Sequence, residues 1–117
     1  MKIFFFLLVA SVSLPAAAQS KAKGSALHGA IAYHQGSGSV GWATDRRSSR
    51  EASVEALNQC AHPQCIVVAS ASKGCAALAR SARKFATHKG ATRQEAETKA
   101  LSRCGAGCEV AAWTCTR

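Results

Sequence analysis

One phrase stands twice in this chain: ASVEALNQCAHPQC, at residues 52–65, returns as AETKALSRCGAGC, at residues 96–108. Sliding the sequence against itself by 44 positions pairs Ser48 with Thr92, Glu51 with Glu95, Ala52 with Ala96, Ala56 with Ala100, Leu57 with Leu101 and Cys60 with Cys104. An internal duplication constrains the fold more than any single motif, because both copies must build the same unit and bury their apolar faces in compatible ways. Two copies are too few for an open solenoid.

Each copy opens with S/T-x-x-E, Ser48 to Glu51 and Thr92 to Glu95. This capping box starts a helix by satisfying its first unpaired backbone N–H groups. The shared apolar positions that follow span an arc of roughly 140° at about 100° per residue, so one face of each helix is buried. That face is alanine, leucine and cysteine, small enough for the helix to lie close to a sheet; Arg50, Glu51, Glu55, Glu95 and Lys99 occupy the outer face.

A turn follows each helix, Ala61-His62-Pro63 or Gly105-Ala106-Gly107, and then a β-prone run at 65–68 or 108–113. Ahead of the first helix, Ala30-Ile31-Ala32-Tyr33 and Val40-Gly41-Trp42-Ala43-Thr44 flank a glycine-serine turn, which predicts a hairpin. Ala77-Leu78-Ala79 and Phe85-Ala86-Thr87 echo it before the second helix, with Phe85-Ala86-Thr87 matched to Trp42-Ala43-Thr44. The expected fold is α+β, with two pseudo-symmetric ββαβ halves at about 28–70 and 75–115. They are expected to form one mainly antiparallel sheet with two helices on one face, stabilised by disulfides.

The N-terminus reads as a secretory signal peptide over residues 1–18: Lys2 precedes an apolar run that ends in Pro15-Ala16-Ala17-Ala18, with cleavage expected after Ala18. The run, about 12 residues, is short of the roughly 20 that a membrane-crossing helix needs. Residues 19–27 are expected to be a flexible segment, residues 28–117 a single domain, and the mature protein secreted or periplasmic.

Three of the four phenylalanines fall within that signal. Tyr33, Trp42, Phe85 and Trp113 remain, and most of them are assigned to the core. So few large residues imply thin layers and a need for covalent support. Six cysteines, Cys60, Cys65, Cys75, Cys104, Cys108 and Cys115, are an even number in an exported chain and predict three disulfides. The C-x4-C and C-x3-C spacings also come near those of zinc ligands, but export favours oxidation; neither metal nor cofactor is expected. Six cysteines formally allow 15 connectivities; on the ββαβ scheme the expected one staples each helix to its next strand, Cys60 with Cys65 and Cys104 with Cys108, with Cys75 and Cys115 left to close the third bridge, and a Cys60–Cys104 link would refute it.

Several motifs in order resemble the bacterial secreted family known as domain of unknown function 4189. They are Gly29-Ala30-Ile31-Ala32-Tyr33, Gly41-Trp42-Ala43, the EALxxC phrase, Cys65-Ile66-Val67-Val68, and Gly74-Cys75-Ala76-Ala77-Leu78-Ala79 followed by a second ALxxC. The resemblance runs from about residue 27 to 116. It implies a fold unit and a bacterial envelope or extracellular setting, and carries no reaction.

No catalytic constellation emerges from His28, His34, His62, His88 and the single aspartate, Asp45; there is no G-x-S-x-G elbow and no H-E-x-x-H helix. Glu51 and Glu95 serve as capping residues, and the thiols are assigned to disulfides. Charge points elsewhere. With 15 Lys and Arg against 6 Asp and Glu, the chain carries +9, which attracts polyanions. Arg46, Arg47, Arg83 and Lys84 are the candidate anion-binding patch, placed at corresponding hairpin-to-helix corners of the two halves. The expected partner is an anionic envelope polymer, a lipid head group or an acidic protein. Nucleic acid is disfavoured, since stacking on single strands needs exposed aromatics that the core is expected to claim. The favoured reading is a non-catalytic binding module; an envelope-acting hydrolase and an inhibitor or immunity-type protein are the alternatives. Intact-mass analysis of the exported protein should give a chain beginning at Gln19 with six cysteines oxidised; a mass retaining residues 1–18 would contradict the leader.

Overall fold

A computed structural model describes residues 26–117; the leader and most of the 19–27 segment lie outside the described residues. Six strands and two helices follow in the order β1 (His28–His34), β2 (Ser39–Arg46), α1 (Ser49–Cys60), β3 (Ile66–Ser72), β4 (Gly74–Arg80), β5 (Phe85–Gly90), α2 (Arg93–Cys104) and β6 (Glu109–Thr116). The class is α+β, and each half reads ββαβ.

Both helices begin where the capping boxes place them. Ser48 Oγ accepts from the Glu51 amide at 3.0 Å, and Thr92 Oγ1 from the Glu95 amide at 3.1 Å. The return arm lands one residue further out: the Arg47 and Ala91 amides donate to Glu51 and Glu95, each at 3.2 Å. Lys99 reaches Glu95 at 2.9 Å, and this hydrogen bond, aided by the Ala91 amide, holds the Glu95 carboxyl below its usual pKa.

The strands form two three-stranded sheets, β2-β1-β3 and β5-β4-β6, all neighbours antiparallel. This corrects the expected single sheet with both helices on one face. The reason is that β1 and β4 are apolar on both faces. Ala30 and Ala32 of β1 pack with Ala52, Ala56 and Cys60 of α1, while Ile31 and Tyr33 turn the other way. In β4, Ala77 and Ala79 pack with Ala96, Ala100 and Cys104 of α2, while Ala76 and Leu78 meet Ile31, Tyr33 and Ala71 of the first sheet. One merged sheet with helices on a single face would leave Ile31, Tyr33 and Leu78 in water, a loss of about 2 kcal/mol each. Stacking the sheets instead yields four layers, α1, sheet, sheet, α2.

Register shows how the duplication was edited. Ala30 corresponds to Ala77, Gly41 to Ala86, Ala52 to Ala96 and Cys65 to Cys108. The offset therefore falls from 47 to 45 across the shorter second hairpin turn, to 44 across the bulge at Asp45, and to 43 at the cysteine corner. Asp45 itself sits in the left-handed region at φ 55°. The same register replaces the Phe85–Trp42 match: Trp42 lies opposite Ile31 on β1, so its counterpart is Thr87, which lies opposite Leu78 on β4.

The three disulfides join Cys60 to Cys65, Cys104 to Cys108 and Cys75 to Cys115. The first two span 5 and 4 residues and fix the helix-to-strand corners. The third spans 40 residues and links facing positions of β4 and β6. Loop-closure entropy assigns about 4 kcal/mol to the long link and about 2 kcal/mol to each short one. The position equivalent to the long link in the first half is the facing pair His28 and Ser72, so this bridge belongs to one copy only.

A buried hydroxyl ties the sheets at one edge: Thr114 Oγ1 donates to the Ala43 carbonyl at 2.8 Å and lies 2.8 Å from Thr44 Oγ1. At the hairpin turns, Arg80 donates to the Gly38 carbonyl and Tyr33 meets Phe85 edge-on at 5.1 Å. Gly41 sets the spacing of α1, because a Cβ there would stand 2.2 Å from the Ala56 carbonyl oxygen and 2.3 Å from the Cys60 amide nitrogen. Gly41→Val should cost at least about 3 kcal/mol in chemical denaturation, since the clash is with backbone; a loss under about 1 kcal/mol would show that α1 can shift outward.

Candidate functional site

The four residues expected to form an anion patch do not come together. Arg46 ends β2 and pairs with Glu55 at 3.3 Å, and the groove it lines with Arg50 also carries Glu51, so its charge is compensated. Arg47 is exposed beside it. Arg83 and Lys84 occupy the β4–β5 turn, where the Arg83 carbonyl accepts from Gln35 of the β1–β2 turn at 2.8 Å. That contact puts them at the hairpin tips, whereas Arg46 faces His28 at the far end of β1. The expected correspondence of corners fails because Arg46 is equivalent to Gly90, and Arg83 belongs to a turn.

The hairpin tips hold a recess of about 510 Å³ lined by Tyr33, Gln35, Arg80 and Glu109. Arg80 is committed there, donating to the Gly38 carbonyl at 2.6 Å with its guanidinium 5.7 Å from the Tyr33 ring centre. Nearby, His34 and His62 stack at 3.9 Å. Each Nδ1 accepts from a backbone amide of its own turn, Ser37 at 3.2 Å and Gln64 at 3.0 Å. Ser37 Oγ also lies 2.7 Å from His34 Nδ1. Among the described residues no carboxylate hydrogen-bonds to a histidine, so this serine–histidine contact has no third member to orient a base.

The two lateral edges of the sandwich are more informative, because the pseudo-twofold relates them and their residues differ. At one edge β2 lies beside β6, and a cleft of about 420 Å³ is lined by Trp42, Thr44, Ala111, Ala112, Trp113 and Cys115. Trp42 is 45% and Trp113 38% exposed. Arg93 of α2 lies over the Trp113 ring at 3.9 Å, steadied through its Nε by Glu97 at 3.1 Å.

At the opposite edge β3 lies beside β5, and a cleft of about 410 Å³ is lined by Val68, Ser70, Thr87, His88, Lys89 and Arg103, among others. Its lining includes two permanent cations and no carboxylate. Thr87 holds the place of Trp42, and Ser70, opposite Ala30, holds the place of Trp113, opposite Ala77. One edge is thus aromatic and its symmetry mate hydroxyl-rich and basic.

This corrects the assignment of most aromatics to the core. Tyr33 is buried, but both tryptophans and Phe85 are exposed. A sequence signal existed for Trp42: it alternates with Gly41 and Ala43, and small residues mark the side facing a closely packed helix. The basic run before α2 disperses equally, with Arg80, Arg83 and Lys84 at the tips, Lys89 in the basic cleft and Arg93 over Trp113. Arg103, not singled out in the sequence, joins Lys89 through the last turn of α2.

Comparison with known proteins agrees with this architecture. A family model described as Domain of unknown function (DUF4189) matches residues 28–115. The chain is similar in fold to Rv1813c from Mycobacterium tuberculosis, solved by NMR, with a TM-score of 0.60 and 24% identity over 98% of this chain and 90% of that one. No curated protein matches the chain. The exposure of the indoles gives a direct check: acrylamide should quench both tryptophans in the native state, and Arg93→Ala should increase quenching by uncovering the Trp113 face. Native emission resistant to acrylamide would contradict the open cleft.

Proposed function

The chain belongs to the DUF4189 family, and from that premise we propose that it is a non-catalytic binding module, exported from the cytoplasm, that recognises an anionic component of the cell envelope. The observation that carries this reading is the β3–β5 cleft, where Lys89 and Arg103 share a lining with His88, Ser70 and Thr87 and no carboxylate. Two cations beside the Ser70 hydroxyl offer charge and directional hydrogen bonds to phosphate or carboxylate groups, while the Thr87 hydroxyl donates to the Val68 carbonyl at 3.3 Å and braces the cleft. Unlike Arg46, neither cation has a salt-bridge partner among the described residues.

The overall charge of +9 supports the same reading by raising the local concentration of a polyanion, and three disulfides supply a rigid frame that loses little entropy on binding. Retention on an immobilised anionic envelope polymer should fall steeply between about 50 and 500 mM salt, as the Debye length shrinks. Lys89→Glu with Arg103→Glu should weaken retention at least about tenfold, and Arg46→Glu should change it much less. Equal retention of the wild type and the double variant at low salt would remove the basic cleft from this role.

A further inference from the structure

The β2–β6 cleft is a second place where this molecule is built to hold something. The chain has two tryptophans and both line it, while among the described residues Tyr33 is the single aromatic in a buried core made mostly of alanine. Both indoles keep a large exposed area, 45% and 38%, while alanine fills the core, and exposed paired aromatics mark recognition surfaces.

From the lining we infer that this cleft binds a pyranose ring of an acidic saccharide, stacked on the indoles of Trp42 and Trp113 with its carboxylate held by Arg93. A sugar ring presents C–H groups, weakly positive, to the electron-rich face of an indole, and its hydroxyls need polar neighbours. Thr44 Oγ1, which donates its own proton to Thr114, can accept from a sugar hydroxyl at the cleft. Arg93 already covers one face of Trp113, so on that indole the sugar takes the surface that Arg93 leaves open; the Arg93 contact with Glu97 uses only Nε, leaving the terminal nitrogens to donate to a carboxylate.

Other occupants fit less well. An added peptide strand needs an open edge, but the Ala43 carbonyl on β2 already accepts from Thr114, and the bulge at Asp45 bends the same edge. A lipid chain would find beside the indoles only two alanines and the Cys115 sulfur as apolar surface, interrupted by the Thr44 hydroxyl. Single-stranded nucleic acid needs a cationic track along its backbone, whereas Arg93 stands beside one indole and Lys89 and Arg103 lie at the opposite edge.

The choice of an acidic sugar over a neutral one rests on the polyanion reading; the stacking does not. The full oxidised protein would be titrated by tryptophan emission with a galacturonate tetrasaccharide, with its neutral methyl ester and with oligodeoxythymidylate. The acidic tetrasaccharide should give a saturable change. Trp113→Ala should weaken it at least about tenfold and Trp42→Ala in the same direction, while Trp113→Phe should stay within a few fold because it keeps a ring face. Arg93→Gln should weaken the acid and leave the ester unchanged. Lys89→Glu with Arg103→Glu should leave this titration intact, so a failure of the basic cleft and a failure of the aromatic one are read separately. No saturable change with the acidic tetrasaccharide, tighter binding of the oligonucleotide, or unaltered affinity in a folded Trp42→Ala, Trp113→Ala protein, measured by titration calorimetry because that variant has no tryptophan left, would each overturn the inference.

Discussion

Both helices rest on their sheets through alanine, and that close approach is what the remaining layers depend on. Ala52 and Ala56 sit on Ala30 and Ala32 in one half, Ala96 and Ala100 on Ala77 and Ala79 in the other, and at Gly41 the strand runs against the helix backbone itself. Dispersion attraction falls off within a fraction of an ångström, so small side chains stabilise a layer only when backbones come this near. Each helix-sheet layer then leaves one apolar face uncovered, carrying Ile31 and Tyr33 or Leu78, and the two faces cover each other. The disulfides work on the same problem from the other side, by limiting the unfolded chain in a protein with few large residues to bury.

Duplication solves the packing and leaves the edges available for divergence. Core positions are under the same constraint in both halves, which is why alanine answers alanine across the pseudo-twofold. The edge positions carry no such constraint. Tryptophan at 42 and 113 corresponds to threonine at 87 and serine at 70 in the symmetry mate, so the two related clefts differ in chemistry. A polymer with both sugar rings and acidic groups would suit that pairing, since stacking and charge act on different parts of it.

Local features were legible in the sequence because their causes are local. Ser48 and Thr92 cap helices through an amide three residues on, and Cys60 and Cys104 reach cysteines 5 and 4 residues away. The Cys75–Cys115 bridge followed by elimination once those corners were assigned. The sheet arrangement was harder, because the strands of each half were correctly ordered while the two-sided burial of β1 and β4 went unused. The residues of HGAIAYH and GCAALAR between their ends are buried, and that pattern means cover on both faces.

The sequence by itself determined a duplicated ββαβ unit, where each helix starts and ends, and the two cysteine corners at 60–65 and 104–108, since each is governed by interactions a few residues long or by the repeat; the 40-residue Cys75–Cys115 link is neither. Only the tertiary structure decided that there are two sheets, and which side chains share a cleft. Thr44 meets Thr114 across 70 residues, Arg93 covers an indole from another element, and the basic residues written as one run before α2 end at three separate places. Proximity in the chain governs caps and corners, but a cleft between sheet edges is made of strands from different halves, and their neighbourhood exists only once the two layers have stacked.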